Sequence, residues 1–216
     1  MNLKPLFEMQ RVLRDRIRYN ESDRFDKLIL ALLVEIGECA NEWRGFKFWS
    51  KNQSPPRILH TTQGATPENA VYFKCMNEDD CGKRLGKDDF NSLLDPDYEE
   101  CPICKVGYVY PFREKNPLLE EYVDGLHFVL ELGIELDFEY DEWIYDSWVV
   151  ETITEQFMSL QLTVGEIYCD KHDGCLPDLI SYYIGLGEML GFTWEQIEQA
   201  YMEKNAINHQ RQESGY

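Results

Sequence analysis

Apolar residues recur at helical spacing along most of this chain, and charged residues fill the positions between them. A first run covers residues 3–18 and a second extends from Phe25 to about Trp49, where Leu28, Leu32 and Ile36 share one face. Neither run alternates with a period of two, so the pattern predicts two amphipathic helices.

Helical periodicity returns after Asn116. Pro117 suits the first turn of a helix that continues to about Leu136, and Thr193 with Gln196 has the form of a capping box. We therefore predict four further helices, which cover residues 117–136 and 148–162, the stretch from a 170–177 loop to about 191, and residues 193–210. The predicted fold class is an all-α helical bundle.

The segment 57–112 has a different character. It is rich in Gly, Pro, Asp and Asn, it holds four of the seven cysteines, and it contains short β-like pieces at 70–73 and 107–110. We predict a small β-containing module inserted into an all-α core that consists of residues 1–56 and 113–216.

Four cysteines of this segment have the pairing of a structural zinc site: Cys75, Cys81, Cys101 and Cys104. The first spacing is wider than the usual C-x2-C, so iron or a pair of disulfides remains an alternative. Four thiolates leave no open coordination position, which favours a structural role for zinc.

The remaining cysteines give weaker patterns. Cys169, His172 and Cys175 lie close in sequence but have no apparent fourth ligand, so an incidental loop is the better interpretation. Cys39 falls on the apolar side of its helix, where a core thiol is expected.

The formal net charge of −19 excludes two classes of partner. Nucleic-acid polymers and anionic membranes would both be repelled by such a surface. The 44% of hydrophobic residues nevertheless indicates a folded protein. Residues 1–14 lack the apolar run of a signal peptide, and we expect a cytoplasmic location.

Carboxylates recur at helical spacing in two of the predicted helices. Glu35 and Glu38 stand at i and i+3, with Glu42 on the same face, and Glu121 and Asp124 repeat the i, i+3 spacing. Such pairs are common on solvated helix faces, but Glu35 and Asp124 are embedded in apolar sequence. Side-by-side packing would make a cluster of oxygen ligands suited to Mg²⁺ or Mn²⁺.

These blocks resemble a known family. Glu35-x-x-Glu38 followed by Glu121-x-x-Asp124 is similar to the metal-binding signature of the all-α NTP pyrophosphatases. The stretches 32–49, 121–128 and 204–216 resemble the dimeric dUTPases of bacteria and their phages. The resemblance covers most of the chain outside the insertion.

The resemblance implies an all-α homodimer that hydrolyses dUTP to dUMP and pyrophosphate with Mg²⁺ and so limits uracil incorporation into DNA. Its metal ligands, and catalytic residues, would be Glu35, Glu38, Glu121 and Asp124. In the C-terminal helix it implies a substrate grip for phosphate that consists of Lys204, Asn208, Arg211 and Tyr216.

Selection of the base is implied by further residues of the resemblance. Gln10 and Asn41 are the amides placed to read the edge of uracil, and His127 either contacts the deoxyribose or is a core histidine. Lys47 and Trp49 belong to an aromatic cluster that either stacks on a pyrimidine or caps the core. Arg14 departs from the family, which often has Asn at this position.

Three alternatives stay open. A pyrophosphatase of the same superfamily with broader (d)NTP specificity would carry the same carboxylates. A regulatory protein would bind a protein partner through the inserted module and would have lost catalysis. A di-iron bundle is disfavoured, because Asp124-x-x-His127 has no second acid-x-x-His to complete the ligand set.

Overall fold

The structure is a computed structural model that describes residues 2–55, 58–88, 100–140 and 145–215. The chain divides into two compact units. One unit comprises Met1–Pro56 with Leu118–Tyr216, and the other comprises Arg57–Pro117. We refer to them as the helical unit and the inserted module.

The described part of the helical unit is all-α, as predicted. Its helices, numbered in chain order, are α1 (Lys4–Ile17), α2 (Arg24–Trp43), α3 (Pro117–Glu135), α4 (Ile153–Asp170), α5 (Leu176–Met189) and α6 (Trp194–Glu213). A single 3-10 turn, Asp173–Cys175, precedes α5. None of the helices among these residues is long and apolar enough to cross a membrane.

Three helix boundaries differ from the predicted ones by more than three residues. The largest difference is at the end of α4, which lies at Asp170 and not near Leu162; there Lys171 adopts a left-handed conformation with φ of 55°. Helix α2 ends at Trp43, not Trp49, because Arg44 adopts a left-handed conformation with φ of 67° and its N–H bonds to the carbonyl of Ala40. Helix α4 begins at Ile153, where Thr152 and Glu155 form a capping box that stops the helix from starting earlier.

Two tyrosines join α3 to α5 inside the core. The hydroxyl of Tyr122 donates to the carbonyl of Tyr183 at 3.0 Å, and the hydroxyl of Tyr183 donates to the carbonyl of Tyr122 at 2.7 Å. A side chain at Gly125 would collide with the Tyr183 hydroxyl. This close packing fixes α3, the helix on which Glu121 and Asp124 lie.

The described part of the inserted module is a small antiparallel sheet with the order β1-β4-β2-β3. Its strands are β1 (Leu59–Thr61), β2 (Tyr72–Cys75), β3 (Arg84–Leu85) and β4 (Val109–Lys115). Its core is small and consists of Ala70, Phe73, Leu85 and Val109 with Cys75 and Cys101. So few apolar side chains give little stabilisation by burial alone.

Candidate active site and thiol cluster

Helices α2 and α3 bring three carboxylates together. Glu35, Glu38 and Glu121 each offer an oxygen, and these oxygens lie within 4.8 Å of one another. The i, i+3 spacing on α2 aims two of them at the same space, and α3 supplies the third. Three acids at this separation form a cluster that can hold a divalent cation.

Asp124 lies one turn further along α3 and pairs with Lys204 of α6 through its Oδ2 atom. Its other oxygen, Oδ1, is buried and has no hydrogen-bond partner among the described residues. A buried carboxylate oxygen without a partner is costly, which leaves a ligand position beside the cluster.

Burial raises the pKa of three acids in this region, and neighbouring negative charges add to the effect. Burial, followed by the charges of Asp124, Glu38 and Glu121, raises the pKa of Glu35 to about 7. Burial and the charges of Asp124 and Glu38 likewise raise the pKa of Glu121 to about 7. The pKa of Asp124 is also raised by burial, although Lys204 opposes the shift. The folded protein thus holds acids that repel one another in the absence of a cation.

A cavity of about 460 Å³ lies beside this cluster. Near the carboxylates it is lined by the charged residues Glu35, Asp124, Lys204 and Arg211 and by the neutral amide of Asn208. The cavity is also lined by Gln10 of α1, by Arg24 of α2 and by His127 and Glu131 of α3. Apolar side chains such as Leu28 and Phe128 complete the lining. A cavity of this size accommodates a small organic ligand, and Lys204 and Arg211 in its lining suit an anionic part of that ligand.

Gln10, His127 and Glu131 are all at least 95% buried and form a hydrogen-bonded group. The Gln10 amide nitrogen donates to Oε2 of Glu131 at 2.8 Å, and its oxygen lies 2.9 Å from Nδ1 of His127. The hydroxyl of Tyr201 donates to the same oxygen at 2.9 Å. The polar wall of the cavity is therefore held in a defined arrangement.

The family model described as dUTPase matches residues 2–60 and 111–216. The chain belongs to the dUTPase family. A comparison with curated proteins finds no match.

Membership of the dUTPase family supports hydrolysis of dUTP or of a related nucleoside triphosphate, a reaction for which dUTPases typically use Mg²⁺. The match leaves out residues 61–110, which include all four cysteines of the inserted module. The helical unit carries the family's features, and the module is additional to them.

The remaining predicted substrate contacts of this dUTPase family member either do not line the cavity or fall outside the described residues. Asn41, Lys47 and Trp49 are not part of the cavity lining. The side chain of Trp49 is 66% exposed and packs edge-on against Phe48. Tyr216 lies outside the described residues.

Sequence reasoning missed an ion-pair network beside the cavity, formed by Arg14, Arg24, Glu131 and Glu135. Glu131 accepts from Arg24 at 2.5 Å and from Arg14 at 3.3 Å, and Glu135 accepts from Arg14 at 2.5 Å. The available signal was Glu131 itself, an acid within the apolar run of α3. Asn205, with a buried Nδ2 that has no partner among the described residues, carried no such signal.

The four module cysteines converge in space. Their Sγ atoms lie within 4.8 Å of one another, and Cys75 and Cys101 are fully buried. Backbone N–H groups of Gly107 and Val106 lower the pKa of Cys104 to about 6. Burial instead raises the pKa of Cys75 to about 12, so a bound metal would be needed to hold it as a thiolate. Four clustered sulfurs are the donor set of a tetrahedral metal site.

Cys169, His172 and Cys175 do not form such a group among the described residues. Cys169 is exposed within the last turn of α4, and the Nδ1 atom of His172 accepts from the backbone of Gly174. Cys169 thus lies in a helix and Cys175 in the 3-10 turn, not in one loop as predicted. Cys39 is buried in the core, as expected.

Proposed function

We propose that this dUTPase family member hydrolyses dUTP to dUMP and pyrophosphate with Mg²⁺. The observation that carries the proposal is the convergence of Glu35, Glu38 and Glu121 beside Asp124 at one end of a cavity. The donors are all carboxylate oxygens, the ligands that Mg²⁺ prefers, and the Oδ1 atom of Asp124 is buried without a described partner. The residues thus fit the ion.

Bound Mg²⁺ would neutralise the triphosphate and lower the pKa of a bound water. The protein's own residues would position the substrate. Lys204 and Arg211 provide cations for phosphate oxygens, and Asn208 provides an amide beside them. His127 and Gln10 line the part of the cavity where the nucleoside would lie. Water breaks the bond between the α- and β-phosphates, so that the products are a monophosphate and pyrophosphate.

Release of pyrophosphate from dUTP, measured with and without Mg²⁺, tests this proposal. We expect Glu38→Gln to lower turnover by at least about a hundredfold, because one charged ligand is lost from the cluster. Asp26→Asn is the matched control, since Asp26 is an exposed acid on the same helix and lies outside the cluster. Wild-type turnover in Glu38→Gln would refute the assignment of the site.

A second candidate is a pyrophosphatase with broader (d)NTP specificity. Arg14 favours it, because the side chain at this position is engaged by Glu131 and Glu135 and is not available to read a base. Rates with the eight common nucleoside triphosphates separate the two: a marked preference for dUTP supports the first candidate, and a flat profile supports the second.

We further propose that the four module cysteines bind structural zinc, because their sulfurs converge into the donor set of a closed, four-thiolate zinc site. Metal analysis of the purified protein tests this, and bound iron or two disulfides would contradict it. The homodimer and the cytoplasmic location are also proposals. Sedimentation analysis tests the former.

The inserted module offers a surface for a protein partner. Exposed apolar side chains cluster next to the second cysteine pair, where Ile103 is 52% exposed, Val106 73% and Tyr108 58%. A regulatory protein without catalysis is the competing hypothesis. The presence of Glu35, Glu38, Glu121 and Asp124 favours an active enzyme, and measurable turnover of dUTP would eliminate the competing hypothesis.

A further inference from the structure

The orientation of the Gln10 amide is determined by Glu131. Arg14 and Arg24 both donate to Oε1 of Glu131, and a carboxylate that is paired with two guanidinium groups acts as a hydrogen-bond acceptor. The Gln10 atom that lies 2.8 Å from it must therefore be the NH₂ group, as the structure has it. The amide oxygen then faces His127 and Tyr201.

This orientation selects the tautomer of His127. An amide oxygen only accepts, so the Nδ1 atom of His127 must carry a hydrogen to bond with it at 2.9 Å. Burial, with a further contribution from the charge of Lys204, lowers the pKa of His127 to about 3, so the ring is neutral and carries one hydrogen. The Nε2 atom is left with a free lone pair.

The Nε2 atom is buried and has no partner among the described residues, although the imidazole lines the cavity. The ring is also held in place by stacking on Tyr201, with ring centroids 4.0 Å apart. A fixed acceptor without a described partner therefore belongs to a side chain in the wall of the cavity.

We propose that Glu131 is a positioning residue: through Gln10 it holds His127 as the Nδ1–H tautomer, and Nε2 then accepts a hydrogen bond from the nucleoside part of the substrate. The donor is either the imide N–H of the base or a sugar hydroxyl, since both present one hydrogen. The tautomer stands on this chain's own contacts, whereas its role in recognition rests on the proposed function.

The tautomer is measurable without any nucleotide. In ¹⁵N spectra of the full-length protein, assigned with His127→Asn, we expect Nδ1 of His127 to be protonated and Nε2 to be bare. Glu131→Gln removes the obligatory acceptor and lets the Gln10 amide turn, so both tautomers are expected. Glu135→Gln is the matched control, because Glu135 shares Arg14 and Arg24 but has no bond to Gln10 in the described structure. It should leave the tautomer unchanged.

A protonated Nε2 in the wild type would overturn the proposal, as would equal changes in Glu131→Gln and Glu135→Gln. Should Glu131→Gln fail to fold, Gln10→Met serves instead. It changes no charge and removes the acceptor from Nδ1, so a mixture of tautomers is again expected, and a ring that stays wholly Nδ1–H would contradict the relay.

Kinetics test the recognition step. We expect Glu131→Gln to lower kcat/KM for dUTP about three- to tenfold, mainly through KM, because one hydrogen bond to substrate is weakened. This penalty should disappear with N3-methyl-dUTP if the imide is the donor, or with 2′,3′-dideoxyuridine triphosphate if the hydroxyl is. A penalty that persists undiminished with both analogues would refute acceptance by Nε2.

The two failures are distinguishable. Absence of any triphosphate hydrolysis by the wild type would refute the proposed function and leave the spectroscopic result as the test of the relay. An active enzyme with the wrong tautomer would refute only the relay.

Discussion

The carboxylate cluster of the helical unit and the thiol cluster of the inserted module differ in the size of the apolar core that surrounds them. Glu35 and Glu121 are only half-buried and project from helices that a large apolar core already holds together. The four thiols lie in a module whose own apolar core is very small. A cation in the first cluster would relieve repulsion, whereas a metal in the second would compensate for the small core. We therefore expect the first ion to exchange readily and the second to remain bound.

The largest effect is expected from a substitution in the thiol cluster. Cys101→Ser removes one ligand from a site whose metal binding would contribute about 10 kcal/mol or more to folding of the module. We expect zinc content to fall to near none and residues 58–117 to become sensitive to protease. Cys169→Ser is the control, since Cys169 is a free exposed thiol outside the cluster. Full zinc retention in Cys101→Ser would break the comparison.

The next effect is on the carboxylate side. Mg²⁺ at about one hundred times its Kd should stabilise the helical unit by about 2.7 kcal/mol, which corresponds to a rise in Tm of roughly 5–10 °C. The rise should be absent in Glu35→Gln and reversible with EDTA. A rise of equal size in that variant would show that Mg²⁺ binds elsewhere.

A smaller effect concerns pH. The folded-state pKa values of Glu35 and Glu121, about 7, lie above the ordinary value of 4.5, so the folded protein binds more protons than the unfolded chain between these values. In EDTA, the free energy of unfolding should therefore fall as pH rises from about 4.5 to about 7. Denaturant titrations should show a shallower fall in Glu35→Gln and with saturating Mg²⁺. A free energy that rises with pH in this window only in the wild type would contradict the cluster's repulsion.

The smallest effect concerns Lys204, which pairs with Asp124 at a partly exposed position. Lys204→Gln removes a cation that competes with Mg²⁺ for this carboxylate. We expect Mg²⁺ alone, measured by calorimetry, to bind up to about fivefold more tightly, because such pairs contribute at most about 1 kcal/mol. The KM for dUTP should rise at the same time. Weaker Mg²⁺ binding would indicate that Lys204 supports the cluster by another route.

Features were predicted correctly from the sequence where all the residues that determine them lie within one helix. Pro117 and the capping box at Thr193 marked helix starts that the structure confirms, and the i, i+3 acids identified the two faces that meet. Prediction failed where the deciding contact is distant in sequence. Nothing in the neighbourhood of Arg14 indicates that it pairs with Glu131, 117 positions away, and nothing near Arg44 foretells its left-handed conformation.

Helix α3 also determines the distance between the carboxylate cluster and the buried polar residues of the cavity wall. Glu121 in its first turns belongs to the carboxylate cluster, and Glu131, ten positions further along, lines the cavity. Ten residues of α-helix span about 15 Å, and this separation is independent of any loop. His127, through which Glu131 acts in the proposal, lies six residues beyond Glu121, so a ligand that reaches both needs a length of about 9 Å. Under the proposed function, nucleoside recognition and phosphate placement would both depend on residues of this one helix, and their separation would change only if its backbone bent.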